Sequence, residues 1–74
     1  SAQMQAAMQL VREQKWTEAA TALDEVVKTE PNNGRAWFLL GNSYHQLGKY
    51  EQAAMAYEKN IPISKNPSAM YNLA

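Results

Sequence analysis

The chain has 74 residues, with seven basic and seven acidic side chains, no cysteine and a single histidine, His45. That length allows one small domain, whose folding hides only roughly 60% of the surface of the unfolded chain, so packing or association must stabilise it without disulfides. The basic residues Arg12, Lys15, Lys28, Arg35, Lys49, Lys59 and Lys65 form no stripe that would displace counterions from phosphates, which speaks against nucleic acid, and the longest apolar runs, such as 36–40, fall far short of the about 20 residues that a bilayer requires. The chain therefore reads as soluble, with no membrane insertion and no fixed compartment. Ser1 in place of an initiator methionine is what a processed or excised chain would show.

Residues 2–14 contain no Gly or Pro and are rich in Ala, Met, Gln and Leu, which predicts a first helix. Its apolar residues cover more than one stripe: Ala6, Ala7 and Leu10 on one face, and Met4, Met8 and Val11 on the next. Lys15 and Trp16 make a turn, and Thr17 is expected to cap a second helix over 17–29. Ala19, Ala20, Leu23, Val26 and Val27 form the buried face of that helix, with Asp24 and Lys28 placed to pair outside. Glu30-Pro31 ends it, because the residue before a proline is pushed out of the helical region.

Asn33 is expected to cap a third helix over 34–47, in which Trp37, Leu40, Gly41 and Tyr44 share a face. Gly48 stops it in the left-handed conformation that a Cβ would penalise. A fourth helix from about 51 to 60 presents Ala53, Ala54, Tyr57 and Ile61, and Pro62 is expected to end or bend it. After a loop at 64–66, Pro67 suits the first turn of a fifth helix over the last residues.

A shift of 34 residues lays Trp16 on Tyr50, Glu18 on Gln52, Ala19 on Ala53, Leu23 on Tyr57 and Ala7 on Gly41. Small residues recur where two helices must approach closely, and bulky ones recur where the gap is filled. A helix-turn-helix period of 34 residues is that of tetratricopeptide repeats. Trp37-x-x-Leu40-Gly41-x-x-Tyr44, followed by Gly48, Tyr50, Ala53 and Tyr57, with Pro31 closing the preceding repeat, resembles the signature of that family almost residue for residue. The resemblance implies an all-α fold, an α-α superhelix of about two repeats (1–33 and 34–66) plus the start of a third (67–74), in one domain or fragment. Three places depart from the pattern. Gln3, Ala6 and Leu10 replace the Trp, Leu and Tyr of the first helix, Gln14 stands where Gly48 stands in the second repeat, and Asn60 and Pro62 replace a small and a helix-favouring residue.

In similar proteins the first helix of each repeat lines a concave groove that holds an extended or helical peptide. The resemblance places Met4, Gln5, Met8, Val11 and Arg12 on that groove from the first repeat. It adds Arg35, Phe38, Leu39, Asn42, His45 and Gln46 from the second, and Ser68, Tyr71 and Asn72 from the third. The family's grip on a terminal carboxylate uses two Lys, two Asn and an Arg; the matching places hold Met4, Met8, Leu39, Ser68 and Asn72, so that grip is not expected here. What is expected is an apolar floor of Met4, Met8, Val11, Phe38 and Leu39, rimmed by Arg35, Asn42 and His45. Methionines adapt to varied apolar shapes, and a hydrophobic peptide or partner helix is the natural guest. Burial of Met4 and Met8 by a preceding repeat that is missing here is as open as contact with a ligand.

Trp16 and Trp37 fall on packing places of the motif and read as core. A lone histidine without a second ligand makes neither a metal site nor a general base, and no nucleophile, carboxylate pair or phosphate loop is present. The expectation is a non-enzymatic binding module that needs no cofactor or metal and takes another protein or peptide as partner. The alternative is a structural unit that forms a homo-oligomer through exposed or swapped terminal helices, since stacks of this kind usually need about three repeats and a polar cap.

Overall fold

The computed structural model describes residues 1–64, with side chains described for 1–60. Four helices follow one another there: α1 (Ala2–Arg12), α2 (Trp16–Thr29), α3 (Gly34–Gln46) and α4 (Tyr50–Ser64). Each packs on the one before it, and α1 also touches α3, so the pairs α1–α2 and α3–α4 stack as two successive hairpins. The expected third repeat, with Ser68, Tyr71 and Asn72, lies outside the described residues, as does the side chain of Ile61.

The 34-residue repeat is visible in the turns as well as in the helices. After α1, Lys15 N–H donates to the Leu10 carbonyl and Gln14 N–H to that of Val11, each at 2.9 Å. After α3, Lys49 N–H donates to Tyr44 at 2.9 Å and Gly48 N–H to His45 at 3.0 Å. Both are the paired bonds that close a helix through a left-handed residue. That residue is Gly48 at φ 78° in the second hairpin and Gln14 at φ 60° in the first. The glutamine thus adopts the conformation that its place in the repeat demands, against the steric preference of an L-residue.

The tight turn moves the start of α2. Lys15, and not Thr17, is the residue before the helix, its side chain caps nothing, and Thr17 already lies inside. The reason is that Lys15 leaves the left-handed turn with its carbonyl already aligned on Ala19 N–H, at 2.7 Å. Lys49 does the same with Ala53 at 3.0 Å. The cap at Asn33 is as expected: its side chain accepts from Ala36 N–H at 3.1 Å. Trp37 ties down the same inter-repeat turn, its indole Nε1 donating to the Pro31 carbonyl at 2.8 Å. The exposed pair Lys28–Asp24 forms at 3.3 Å.

The α4 backbone runs on through Pro62 to Ser64, so the proline does not end the helix. A proline forfeits its own hydrogen bond to the preceding turn, and a helix already several turns long can pass through that single loss.

The core joins Met4 and Ala7 of α1, Ala20, Leu23, Val26 and Val27 of α2, Ala36 and Leu40 of α3 and Ala56 of α4. On α1 the buried face is therefore Met4–Ala7, with Met8 and Val11 packed beside it, while Ala6 is exposed. This corrects the expected partition of the two stripes. Positions 4, 7, 8 and 11 form a continuous helical face, and that face is the one turned to the core, with Ala6 outside it. Gly41 and Tyr57 make the tightest crossing: the ring of Tyr57 lies where a Cβ on residue 41 would stand, 2.7 Å from Cδ1 and Cε1. Glycine is required at 41 by this approach of α4 to α3.

Candidate functional site

Asn33 fixes the start of α3, and Gly48 fixes its end, so the helical spacing between them sets Arg35, Phe38, Asn42 and His45 along one stripe. The places 34 residues earlier on α1 are Met4, Met8 and Val11, with Arg12 following. Because α1 and α3 are in contact, the two stripes belong to adjacent helices.

Phe38 is the prominent feature of this surface. It is 50% exposed and takes no part in the core, yet its ring is braced by Tyr57, centroids 5.8 Å apart and tilted by 45°. Such a tilted pair fixes the ring at little cost in packing. Leu39, Met8 and Val11 are half-buried beside the core, Asn42 is half-buried, and Arg12, Arg35 and His45 are exposed. Met4 departs from the expected groove floor: at 7% exposure it belongs to the core that the four helices share. It offers a partner almost no surface. Asn72 lies outside the described residues.

Charge divides along the same lines. The segments AQMQAAMQLVR of α1 and GRAWFLLGNSYHQ of α3 hold Arg12, Arg35 and His45 and no carboxylate. Glu18, Asp24 and Glu25 lie on α2, and Glu51 and Glu58 on α4. Arg12 donates to the Gln9 side-chain oxygen at 2.8 and 3.2 Å and closes on no carboxylate among the described residues. Arg35 forms no ion pair among the described residues. Gln9 in turn donates to Glu13 at 2.8 Å, and this bond, with Lys15 beside it, holds the Glu13 carboxyl below its ordinary range. His45 packs edge-on against Tyr50, centroids 5.1 Å apart.

A second feature was not anticipated. Between α2 and α4 runs an open cleft of about 220 Å³ lined by Trp37, Leu40, Tyr44, Met55 and Ala56, with Asp24, Gln52 and Lys59 at its margins. It falls below the roughly 300–1,000 Å³ of small-molecule sites. Burial against it pushes the Tyr44 phenol up, with the Asp24 charge as a further cause. Met55, at the edge of this cleft, is 63% exposed although it sits on an otherwise regular repeat helix. Ser43 is fully buried; it donates to the Leu39 carbonyl at 2.9 Å and leaves no unmet polar atom. Among the described residues no cluster of His, Cys, Asp or Glu could hold a metal, and no helix is long and apolar enough to cross a membrane.

Comparison with known proteins places these features in a family. Residues 4–68 match the tetratricopeptide repeat model. A tetratricopeptide repeat protein 21 homolog from Caenorhabditis briggsae is 40% identical over 62 residues, which is 81% of this chain and 5% of that protein. The chain thus spans only a small part of the relative's length. No solved structure matches. The paired left-handed turns, the Gly41–Tyr57 crossing and the stacked hairpins are the physical content of that match. Repeats of this type are in general non-enzymatic scaffolds for protein–protein interaction, and the chain belongs to the tetratricopeptide repeat family.

Proposed function

We propose that the chain presents the joined faces of α1 and α3 as a groove for a peptide or partner helix, within a longer scaffold protein. The arrangement would be two repeats, 1–33 and 34–66, with a third opening at 67–74. Met8, Val11, Phe38 and Leu39 supply the apolar contact, and Arg12, Arg35, Asn42 and His45 the polar rim. The observation that carries this reading is Phe38, half exposed, held by Tyr57 and unused by the core. A large aromatic side chain fixed at a surface is the type of residue on which interfaces concentrate their energy.

Met55 favours a second reading, self-association into a homo-oligomer through the terminal helices, since its 63% exposure leaves an apolar edge on α4 beside the α2–α4 cleft. Peptides selected from a display library and then measured against Phe38→Ala and Met55→Ala separate the two. Peptides that lose binding with Phe38→Ala and keep it with Met55→Ala support the groove; peptides indifferent to Phe38→Ala contradict it. Light scattering over a wide concentration range tests self-association, with a rising mass that Met55→Ala abolishes as the supporting result.

A further inference from the structure

We propose that the partner of the α1–α3 face is an acidic amphipathic segment, one that sets apolar side chains on Phe38 and carboxylates on Arg35 and Arg12. This rests on the groove reading above and goes beyond it by fixing the charge of the guest. Two independent observations converge. The first is the division of charge between helices: α1 and α3 hold two arginines and His45 and no acid, the other two carboxylates, Glu13 and Glu30, falling in the turns where Lys15 and Asn33 engage them, whereas α2 and the described part of α4 hold five carboxylates against Lys28 and Lys59. The chain is neutral as a whole, so this is a division of sign and not an excess of one. The second is that, among the described residues, neither arginine of these two helices closes directly on a carboxylate, although Arg12 reaches Glu13 through Gln9. Lys28 is engaged by Asp24 at 3.3 Å and Glu25 at 3.6 Å, while Arg12 closes only on a neutral amide and Arg35 on no carboxylate among the described residues.

The geometry suits such a guest. Arg35 lies one helical turn before Phe38, so an apolar side chain seated on the ring carries its neighbouring carboxylate towards the guanidinium. A guanidinium presents a fork of donors that matches a carboxylate in two bonds, and it is weakly enough hydrated to lose water on contact. A basic guest would meet Arg35 and Arg12 as like charges, which is costly at an interface.

The test uses three fluorescent amphipathic peptides with the same leucine pattern and with Glu, Gln or Lys at every intervening position. Fluorescence anisotropy is read with the 74-residue chain at low and at high salt. The Glu peptide should bind at least about tenfold more tightly than the Lys peptide at low salt, and the gap should shrink at high salt as exposed charges are screened. Arg35→Gln should narrow the Glu-to-Lys ratio severalfold, and Phe38→Ala should weaken the Glu and Gln peptides alike, with circular dichroism confirming that both variants stay helical. If the three peptides bind equally and all lose binding with Phe38→Ala, the charge assignment is wrong and the groove stands. If Phe38→Ala changes nothing, or no peptide binds, the groove reading and the charge assignment fail together. A Glu preference that survives Arg35→Gln unchanged also overturns the proposal, because the attraction would then lie elsewhere.

Discussion

Replacing Gly41 by alanine sets two effects against each other. Alanine is better than glycine in a helix interior by roughly 0.8–1 kcal/mol, so an unobstructed site would gain stability. Here the new Cβ would stand 2.7 Å from two ring atoms of Tyr57 and 3.1 Å from a third. The ring must move, and Phe38 already packs against it with centroids 5.8 Å apart. Overpacking of this kind typically costs about 1–3 kcal/mol, which outweighs the helix gain. The expected net loss is about 1 kcal/mol, a fall in Tm of roughly 4–8 °C for a domain of this size. Gly41→Trp, which no rotation of Tyr57 can accommodate, should keep α3 and α4 from closing. The decisive assay is a double-mutant cycle by urea denaturation. In a Tyr57→Ala background the obstruction is gone, and Gly41→Ala should change sign and stabilise. If Gly41→Ala stabilises the chain with Tyr57 present, the close approach is not what fixes glycine at this position.

Other consequences follow from the turns and caps. Gln14→Gly should raise stability by about 1 kcal/mol, since the glutamine at φ 60° bears a left-handed cost that glycine does not; thermal denaturation reads it, and an unchanged Tm would contradict the strained turn. Gly48→Ala should cost a similar amount although nothing lies within 4 Å of its Cβ, because the penalty is in the backbone at φ 78°. Asn33→Ala should cost about 1 kcal/mol at neutral pH through loss of the cap to Ala36. The same substitution should alter the acid response. Hydrogen bonds from Ser1 and from Asn33, the latter at 3.1 Å, hold the Glu30 carboxyl below its ordinary range. A carboxyl lowered by folding contributes stability above its unfolded pKa and loses it as pH falls through the folded value. Stability should therefore be level from neutrality to about pH 5 and decline below about pH 4, less steeply in Asn33→Ala.

Much of this fold is legible in the chain because its signals are local. Asn33 before a helix, Gly48 after one and the Asp24–Lys28 spacing each act within a turn or two of sequence, and the 34-residue shift extends them to the whole. The shift even marks Gln14, since a position equivalent to Gly48 must be left-handed whatever its side chain. What escaped was set by contact between helices. The two apolar stripes of α1 are equal in sequence, and only the packing of α1 on the other helices decides that Met4 is covered and Ala6 is not. Equivalence with Phe38 placed Met4 on the groove, but Phe38 is half exposed while the methionine is buried in the core. The α2–α4 cleft likewise depends on how far two outer helices splay, which no local pattern encodes. Pro62 shows the opposite limit: a strong local breaker yielded to a helix already formed around it.

The central claim, that the α1–α3 face receives the partner, is tested most directly by mapping amide chemical shifts of the isotope-labelled chain during titration with the Glu peptide. The account predicts changes concentrated at Met8, Val11, Arg35, Phe38 and Asn42, with α2 and the Met55 edge of α4 unmoved. Shifts centred on Met55, Gln52 and Asp24 would contradict it and move the binding surface to the outer cleft.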